Sequence, residues 1–337
     1  MRIWSLRDER VGSSKQAEAL ARGLDAAAVV KNVVYGPLIA LPNIIRPCGV
    51  GVNFSKSDDL LSAGDPPDVV VFAGRRLAGV AIFLKRHFWL KFARRVRLIA
   101  ILNPNWGFRN FDLVILPLHD RHGFSGNRSN VVYINGSLCD SRIPPIDQLR
   151  AHWGEKLEAR RPPFFSLLVG GDTRQCKINP TKLGSMVRKV SSYVAGRGGT
   201  LLVSSSRRTG AACLGEVKKS LDCDSLIYEW QDGGDRPNPY YLFIEKSAMV
   251  FITGDSIAMI SEVATLGKPI YVLYLAEEFA GLKQERFCRN LVDLGVIRII
   301  GPDSGSLEEF SNNRPLNELE RVLELVRDNI LGHATAL

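Results

Sequence analysis

The sequence of 337 residues lacks the patterns that most directly identify a function. It contains no GxGxxG and no Walker A sequence, which removes most of the support for an ordinary dinucleotide-binding enzyme or a P-loop NTPase. Its cysteines include no CxxC pair and no histidine neighbours at zinc-finger spacing, so we expect neither a zinc site nor a disulfide framework. The cysteines, which we expect to be reduced and mainly structural, are Cys48, Cys139, Cys176, Cys213, Cys223 and Cys288.

Long apolar runs and local negative charge are missing as well. No stretch approaches the roughly 18 apolar residues of a membrane span, and the N-terminus MRIWSLRDER becomes charged too early for a secretory signal, so a cytoplasmic protein is expected. No Asp or Glu occurs between Asp68 and Asp112 in a chain whose formal net charge is +9. This basic surface suits an anionic partner, which is a phosphorylated ligand, an acidic lipid or a nucleic acid.

What is present is a regular alternation of short apolar runs with helical patterns. The length favours two domains, and 45% apolar with 23% charged residues is ordinary for a globular protein. Apolar runs such as DVVVFAG and DLVILP in the first half, and FFSLLVGG and AMVFITG in the second, predict parallel strands of βαβ units. Both halves are therefore predicted to be α/β, with a boundary near residue 160 inside the Pro144–Pro163 segment.

A final helix is predicted from apolar residues at spacings of three and four. These residues are Leu316, Leu319, Val322, Leu323, Val326 and Ile330. Asn317 together with Glu320 is expected to cap its start. The chain thus divides into residues 1–160, residues 161–314 and a C-terminal helix within residues 315–337.

Three loops that follow strands in the second half have the composition of an anion site. They contain Gly170 and Gly171, then Ser206, Arg207 and Arg208, then Gly254, Asp255 and Ser256. Small residues let backbone N–H groups approach a phosphate at helix N-termini, and arginines add bidentate contacts. In each loop taken alone, the same residues are also ordinary for turns and helix caps. Because all three belong to one sheet edge, we favour an anion site there.

Glu262 is a single carboxylate on the otherwise apolar helix that follows Gly254-Asp255-Ser256. Two interpretations remain open. It accepts hydrogen bonds from ribose hydroxyls while the start of the helix binds phosphate, or it is a partly exposed glutamate that pairs with a nearby Lys or Arg.

The first half has its own polar strand ends. Asp8 and Gly12 follow the strand RIWSL, and Gly74 and Arg75 follow DVVVFA. His119 and Asp120 follow DLVIL, where an exposed histidine beside an aspartate is a candidate general base near neutral pH. The alternative is a histidine that only fills its loop.

The Gly79–Leu102 segment interleaves aromatic and basic residues. Phe88, Trp89 and Phe92 alternate with Lys91, Arg94 and Arg95, which is typical of helices that lie on anionic bilayers. The alternative is a core-packing helix with a basic outer face. A nucleic-acid groove is not expected, because no recognised binding motif accompanies the charge.

With these motifs in place, the sequence resembles the mitochondrial fission ELM1 family, whose bacterial members have been labelled predicted nucleoside-diphosphate-sugar epimerases. The family is similar to glycosyltransferases of the GT-B class. Matching segments run through nearly the whole chain and include IWSLRDERVGSSKQAEALA, FDLVILPLHD, LVGGDT, LLVSSSRRTG and NPYYLFIEKSAMVFITGDSIAMISEVATLGKPIYV.

The resemblance implies two Rossmann-like domains that face each other across a cleft, with the final helix crossing back to the N-terminal domain. It implies a nucleotide-diphosphate-sugar site chiefly on the C-terminal domain, with Glu262 on the ribose and with Gly254 and Ser256 near the diphosphate. The N-terminal domain is expected to hold the acceptor, often a lipid-linked one, which would give the Gly79–Leu102 segment a purpose as a contact with an anionic membrane surface. No metal ion and no cofactor beyond the sugar donor is implied.

The sequence also departs from its relatives. Ser13 replaces a usual histidine, Asn103 a usual acidic residue and Ala258 a usual serine. These changes affect the acceptor side more than donor binding. A metal-independent glycosyltransferase is the leading hypothesis, with His119 or Asp120 as the base. A nucleotide-sugar 2-epimerase and a non-catalytic, membrane-associated adaptor on the same scaffold are the alternatives.

Overall fold

A computed structural model of the chain describes residues 1–37, 49–61, 66–123, 128–231, 236–311 and 314–332. Cys48 and residues 333–337 of the predicted C-terminal helix lie outside these ranges. The chain forms two compact units, of which the first contains Met1–Cys139 and Asn317–Leu337 and the second contains Asp140–Leu316. Each unit has a six-stranded sheet of its own, which confirms the predicted α/β class.

The sheet of the first unit is parallel throughout its described pairs. Its strands are β1 (Ile3–Arg7), β2 (Val29–Asn32), β3 (Val69–Ala73), β4 (Arg97–Ile101), β5 (Leu113–Pro117) and β6 (Val131–Ile134). They lie in the order β2-β1-β3-β4-β5-β6. The chain therefore reverses its direction of travel across the sheet between β1 and β3.

Helices cover both faces of this sheet. They are α1 (Val11–Leu24), α2 (Arg75–Phe92), the 3-10 turns Phe108–Asn110 and Leu118–Gly123, and the final helix, which we call α10 (Glu318–Val326) and which continues as a π-turn over Arg327–Leu331. Leu77 and Phe88 of α2 pack in one apolar cluster, whereas Leu20 of α1 and Val322 of α10 pack in the other. Because both faces are covered, β3 and β5 are buried along their whole length and are apolar without alternation.

The second unit repeats this plan with another parallel sheet. Its strands are β7 (Phe164–Val169), β8 (Thr200–Ser205), β9 (Asp224–Tyr228), β10 (Ser247–Thr253), β11 (Ile270–Leu273) and β12 (Arg298–Ile300). Their order is β12-β11-β10-β7-β8-β9, so the reversal falls between β7 and β10.

Seven helices accompany the strands in the described part of this unit. They are α3 (Asp147–Glu158), α4 (Pro180–Ala195), α5 (Ala211–Lys219), α6 (Tyr240–Lys246), α7 (Ile257–Thr265), α8 (Ala276–Phe279) and α9 (Lys283–Asp293). Met186 of α4 and Val217 of α5 belong to one apolar cluster, and Val263 of α7 and Leu291 of α9 belong to another. Helices therefore cover both faces of this sheet, as they do in the first unit.

The division between the units falls before α3, whereas the sequence suggested a boundary near residue 160. The reason is the packing of α3, whose Trp153 is buried against Tyr228 and Phe243 and donates an indole hydrogen bond to the Pro237 carbonyl at 2.9 Å. The final helix is grouped with the first unit. There Glu318 accepts a hydrogen bond from Asn135 at 2.8 Å, and Arg321 donates to the Tyr133 carbonyl at 2.7 Å.

Some local expectations need correction. Asn317 is the N-cap residue of α10, but its side chain makes no capping hydrogen bond. The edge strands β2 and β12 were not predicted, because they are short and contain exposed residues instead of an apolar run. Within the described ranges, none of the helices combines the length and apolar character that a bilayer crossing needs.

Candidate functional site

The reversal between β7 and β10 brings two of the predicted loops into direct contact. Beyond the carboxyl ends of these neighbouring strands, the Gly171 N–H donates to Asp255 Oδ2 at 3.1 Å, and the Gly170 N–H donates to Thr253 Oγ1 at 2.7 Å. Ligands of doubly wound sheets bind at such a reversal, the topological switch point. The strand order therefore places the candidate residues at the position where this fold class binds ligands.

Asp255 is the centre of this arrangement. Its side chain is fully buried, and its carboxylate also accepts a hydrogen bond from Thr253 Oγ1 at 2.7 Å and an ion pair from Arg208 Nη2 at 2.8 Å. Burial raises the pKa of the Asp255 carboxyl above its usual 3.8, whereas Arg208, Thr253 and the Gly171 N–H lower it. The Asp255 carboxylate thus binds groups of the protein itself and connects the loop after β10 to the loops after β7 and β8.

Arg208 brings the third predicted loop, the one after β8, to the same point. Its Nη1 donates to the Gly171 carbonyl at 2.9 Å and to the Asp172 carbonyl at 3.3 Å, while its Nη2 contacts Asp255. The guanidinium is therefore a positioning group for the β7 loop. Arg207 beside it is exposed, and its guanidinium is the better placed of the two for contact with a ligand.

Two glycines make this close approach possible. A Cβ built on Gly170 would lie 2.2 Å from Asp255 Oδ1, and one on Gly171 would lie 1.9 Å from the Arg208 carbonyl oxygen. Neither distance leaves room for a side chain. We call Gly170, Gly171, Arg208, Thr253 and Asp255 the switch-point frame.

The loop after β8 is fixed to the frame through hydroxyl groups. Thr209 Oγ1 accepts a hydrogen bond from the Ser206 N–H at 2.9 Å and lies 2.9 Å from the Val169 carbonyl, to which it donates. Ser206 Oγ in turn accepts from the Arg208 N–H at 3.3 Å. The predicted Ser206 is therefore part of a tight turn that holds Arg208 in place.

Helix α7 begins directly after the frame. Ser256 is its N-cap residue, and the Ser256 hydroxyl accepts a hydrogen bond from the Met259 N–H at 3.4 Å. Gly254 lies against Phe279, since a Cβ there would meet its ring at 2.6 Å. The first turn of α7 thus directs its free N–H groups and its positive partial charge to the edge of the sheet where the frame lies.

Glu262 has partners that neither sequence interpretation included. Its Oε2 accepts a hydrogen bond from the Tyr240 hydroxyl at 2.8 Å, and its Oε1 accepts one from the Tyr241 hydroxyl at 2.5 Å. No Lys or Arg pairs with it in the described part of the chain. The two tyrosines begin α6, after a turn in which Asn238 Oδ1 accepts from the Tyr240 N–H at 3.0 Å. The sequence signal was NPYY, a turn followed by two adjacent phenols.

The first unit has a corresponding switch point between β1 and β3, and the predicted Asp8, Gly12, Gly74 and Arg75 follow those two strands. Asp8 Oδ1 accepts a hydrogen bond from the Arg10 N–H at 2.9 Å. Gly74 has a φ of +85° and precedes α2, in which Arg75 is the first residue and is exposed. A Cβ on Gly12 or Gly74 would meet nothing within 4 Å. The switch point of the first unit is therefore open, whereas at that of the second unit Gly170 and Gly171 leave no room for a side chain.

The predicted pair His119 and Asp120 lies apart from that switch point. Both belong to the 3-10 turn after β5, and β4 separates β5 from β3. The histidine expected to be exposed is in fact buried, with 7% of its surface accessible, whereas Asp120 is half-buried. Asp120 is therefore the more accessible of the two to an acceptor.

Comparison with known proteins agrees with this architecture. A UDP-GlcNAc 2-epimerase from Methanocaldococcus jannaschii superimposes with a TM-score of 0.58 at 12% identity, over 97% of this chain and 100% of the epimerase. The two α/β units with parallel sheets thus have the GT-B fold. This likeness is one of fold.

Relatives are also found by sequence. An uncharacterized protein from Rickettsia prowazekii is 27% identical over 97% of this chain and 98% of its own length. The mitochondrial fission protein ELM1 of Arabidopsis thaliana is 22% identical over 81% of this chain and 66% of its own length. The sequence profile of the family described as "Mitochondrial fission ELM1" matches residues 11–330. The chain therefore belongs to the mitochondrial fission ELM1 family.

Proposed function

We propose that this protein binds a nucleoside-diphosphate sugar at the switch point of the second unit and transfers the sugar to an acceptor hydroxyl. The observation that carries the proposal is the switch-point frame, in which Asp255 and Arg208 hold three loops together at the edge where α7 begins. All the contacts of this frame that are described above are made between groups of the protein itself. Pre-organised loops of this kind lower the cost of ordering a charged ligand.

The diphosphate is assigned to the start of α7 and the loop after β8. The first turn of α7 offers N–H groups and the positive end of the helix dipole, and Ser256 lies at that start. The exposed Arg207 adds a guanidinium on the neighbouring loop. These groups would stabilise the negative charge that develops on the leaving diphosphate, so the reaction as proposed needs no metal ion.

The ribose is assigned to Glu262. With a rise of 1.5 Å per residue, Glu262 lies roughly 7 Å along α7 from Ile257, a distance close to that between a diphosphate and its ribose hydroxyls. A carboxylate offers about four lone-pair positions, of which the two tyrosines use two. The remaining positions can accept the two ribose hydroxyls, while Tyr240 and Tyr241 fix the orientation of the carboxylate.

The acceptor side of the proposal rests on the open switch point of the first unit. Asp8, Gly12, Gly74 and Arg75 are the residues assigned to an acceptor, for which the family resemblance suggests a lipid-linked molecule. Asp120 is the preferred candidate base, because it is more accessible than the buried His119. Because β4 separates the turn that carries Asp120 from the switch point, the acceptor has to extend past the end of β4 for Asp120 to remove the proton of its attacking hydroxyl.

Calorimetry with UDP, GDP, ADP, CMP and dTDP tests donor binding. We expect one of these nucleotides to bind, and we expect Glu262→Gln to weaken that binding about tenfold because a charge-assisted hydrogen bond is lost. Glu158→Gln, at an exposed residue of α3, is the matched control and should bind as the wild type does. Absence of binding by all five nucleotides would contradict the proposal.

A nucleotide-sugar 2-epimerase is the second candidate, favoured by the likeness to an epimerase along the whole length of both chains. Epimerisation needs acid and base groups at the sugar itself, whereas transfer needs them at the acceptor. Proton NMR of the protein with the bound nucleotide sugar distinguishes the two. A new sugar epimer without added acceptor indicates epimerisation, and an unchanged donor that reacts only with acceptor indicates transfer.

A further inference from the structure

The C-terminal end of α2 carries an apolar and basic surface that has no part in the proposed function. We call residues 89–95 the α2 tip. Trp89 is 59% exposed, Leu90 is 79% exposed and Phe92 is 39% exposed, which makes them three of the most exposed large apolar side chains in the described part of the chain. Single exposed apolar residues are common, but three within four positions form a patch that calls for an explanation.

The tip is a fixed structure and belongs to the surface. The other side of α2 is buried, with Leu77, Leu84 and Phe88 fully enclosed in the core. The helix ends at Phe92, and its C-cap residue Ala93 has a left-handed φ of 49°. The Ala93 N–H donates to the Trp89 carbonyl at 3.0 Å, and the Arg94 N–H donates to the Phe88 carbonyl at 3.2 Å. The body of α2 therefore packs in the core, as one of the two sequence interpretations expected, whereas the end of the helix is exposed.

Positive charge surrounds the exposed apolar residues. Arg86, Lys91 and Arg95 are exposed at or next to the tip. The nearest acids along the sequence are already engaged, because Asp68 pairs with Arg94 at 2.5 Å and Asp112 pairs with Lys85 at 3.3 Å. The tip therefore presents aromatic and aliphatic side chains next to cations, with no acidic residue from position 69 to 111.

The tip lies at the opposite edge of the first sheet from the loops assigned to the acceptor. Helix α2 starts at the carboxyl end of β3 and runs back along the sheet, so its end lies beside the amino ends of the strands. Its 18 residues span roughly 27 Å from Gly74 to the tip. Contact at the tip consequently leaves the acceptor-side loops uncovered, and it does not depend on nucleotide binding in the second unit.

We propose that the α2 tip docks the protein on anionic bilayers, with Trp89, Leu90 and Phe92 inserted at the level of the headgroups. Tryptophan and phenylalanine suit this interfacial zone, and Lys and Arg extend their charges toward anionic headgroups. Each basic residue near such a surface strengthens binding by roughly fivefold. Trp beside basic residues also occurs at protein interfaces, but three apolar side chains at an exposed helix end, next to cations, match the interfacial zone of an anionic bilayer, which is the partner that we propose.

Flotation of the full-length chain with lipid vesicles tests the proposal. One set of vesicles is phosphatidylcholine alone, and the other contains about 30 mol% phosphatidylglycerol. We expect binding to the anionic vesicles, little binding to the neutral ones, and release in about 0.5 M salt, where the Debye length falls to about 4 Å. No flotation with anionic vesicles would overturn the proposal, and capture by acidic proteins alone would assign the surface to them.

Two triple variants separate the apolar from the electrostatic contribution. Trp89→Ala with Leu90→Ala and Phe92→Ala removes the apolar residues, and Arg86→Gln with Lys91→Gln and Arg95→Gln removes the charges. We expect each variant to bind anionic vesicles at least about tenfold more weakly. Because all six side chains are exposed or half-exposed, both variants should unfold at the wild-type temperature, which circular dichroism checks.

A matched control changes the same net charge elsewhere. Arg188→Gln with Lys246→Gln and Lys283→Gln removes three exposed cations from the second unit and should float as the wild type does. If this control loses binding as strongly as the tip variant, the attraction is a property of net charge and the proposed site is wrong. Quenching of tryptophan fluorescence by brominated lipid, lost in Trp89→Phe, would place Trp89 in the bilayer.

Discussion

Both units have a six-stranded parallel sheet with one switch point, but they differ in strand order and in how the switch points are closed. In both sheets the chain reverses between two neighbouring strands, β1 and β3 in the first and β7 and β10 in the second. In the second unit, the buried Asp255 and Arg208 and two glycines without room for a side chain join the loops. In the first unit, an ion pair between the half-buried Arg76 of α2 and the exposed Glu9 joins the two strand ends, and Gly12 and Gly74 have open space around them.

Under the proposed function, this difference corresponds to the donor site in the second unit and the acceptor site in the first. A closed frame holds N–H groups at fixed spacing, which suits a ligand part that never changes, such as a diphosphate with its ribose. An open edge accepts changes of side chain without repacking, which suits the acceptor that the proposed function assigns to it. Of the three departures from the family pattern, Ser13 and Asn103 fall in the first unit, whereas Ala258 falls in α7 of the second.

The strongest test of the difference between the two switch points is to add one methyl group to each. In Gly171→Ala the new Cβ would lie 1.9 Å from the Arg208 carbonyl oxygen, so the loops must separate and the unfolding free energy should fall by about 3 kcal/mol. Gly12→Ala meets nothing and improves helix propensity, so it should be neutral or slightly stabilising. Urea unfolding followed by circular dichroism measures both. Equal stability of the two variants would show that the second switch point is as open as the first.

Two adjacent arginines offer the next test. Arg208→Gln removes the cation that pairs with Asp255 and the guanidinium donor of two carbonyls, so we expect a loss of about 2 kcal/mol. Arg207→Gln should change stability by less than about 0.5 kcal/mol, because Arg207 is exposed. If Arg207→Gln is the more damaging, the frame is described wrongly.

The loss in Arg208→Gln should depend on pH. Arg208 lowers the pKa of Asp255 in the folded protein, although burial keeps that pKa above its usual value of 3.8. The interaction exists only while Asp255 is ionised. The deficit should therefore be greatest at neutral pH and should decrease as the pH falls through the pKa of Asp255. A deficit that grows in acid would contradict this assignment.

A smaller effect is expected at the two tyrosines that hold Glu262. Tyr240→Phe with Tyr241→Phe removes both hydroxyls, and the freed carboxylate should bind the nucleotide about fivefold more weakly, near 1 kcal/mol, because it is no longer oriented. The heat of binding should be measured against Tyr193→Phe, whose ring packs on Phe165 in the other apolar cluster of this unit. Unchanged affinity in the double variant would mean that Glu262 orientation is unimportant.

Sequence reasoning was strongest where the signal is continuous along the chain. Apolar runs such as Val69–Ala73 predicted the parallel strands, and the loops after them predicted which residues meet at the switch points, because parallel strands place their carboxyl ends at one edge. The partners of Glu262 could not be predicted. Tyr240 and Tyr241 lie on another helix, and only the packing of α6 against the sheet brings their hydroxyls to the carboxylate.

Burial caused a second class of failure. His119 appeared in a polar loop sequence and was expected to be exposed, yet the turn after β5 folds its ring inward. The role of Arg208 changed for a similar reason, since a guanidinium suited to phosphate is equally suited to a buried carboxylate. The residue type of Arg208 thus predicted that it binds an anionic group, and the tertiary contacts determine that this group is the Asp255 carboxylate.

The smallest predicted effect compares the N-caps of one helix from each unit. Ser256 at the start of α7 accepts a hydrogen bond from the Met259 N–H at 3.4 Å, whereas Asn317 at the start of α10 makes no capping bond with its side chain. Ser256→Ala should therefore cost about 0.5 kcal/mol in the absence of ligand, and Asn317→Ala should cost almost nothing. Thermal unfolding of both variants measures this difference. A larger loss for Asn317→Ala would mean that the predicted capping box at α10 forms in solution, because a cap can stabilise a helix only through a hydrogen bond that is made.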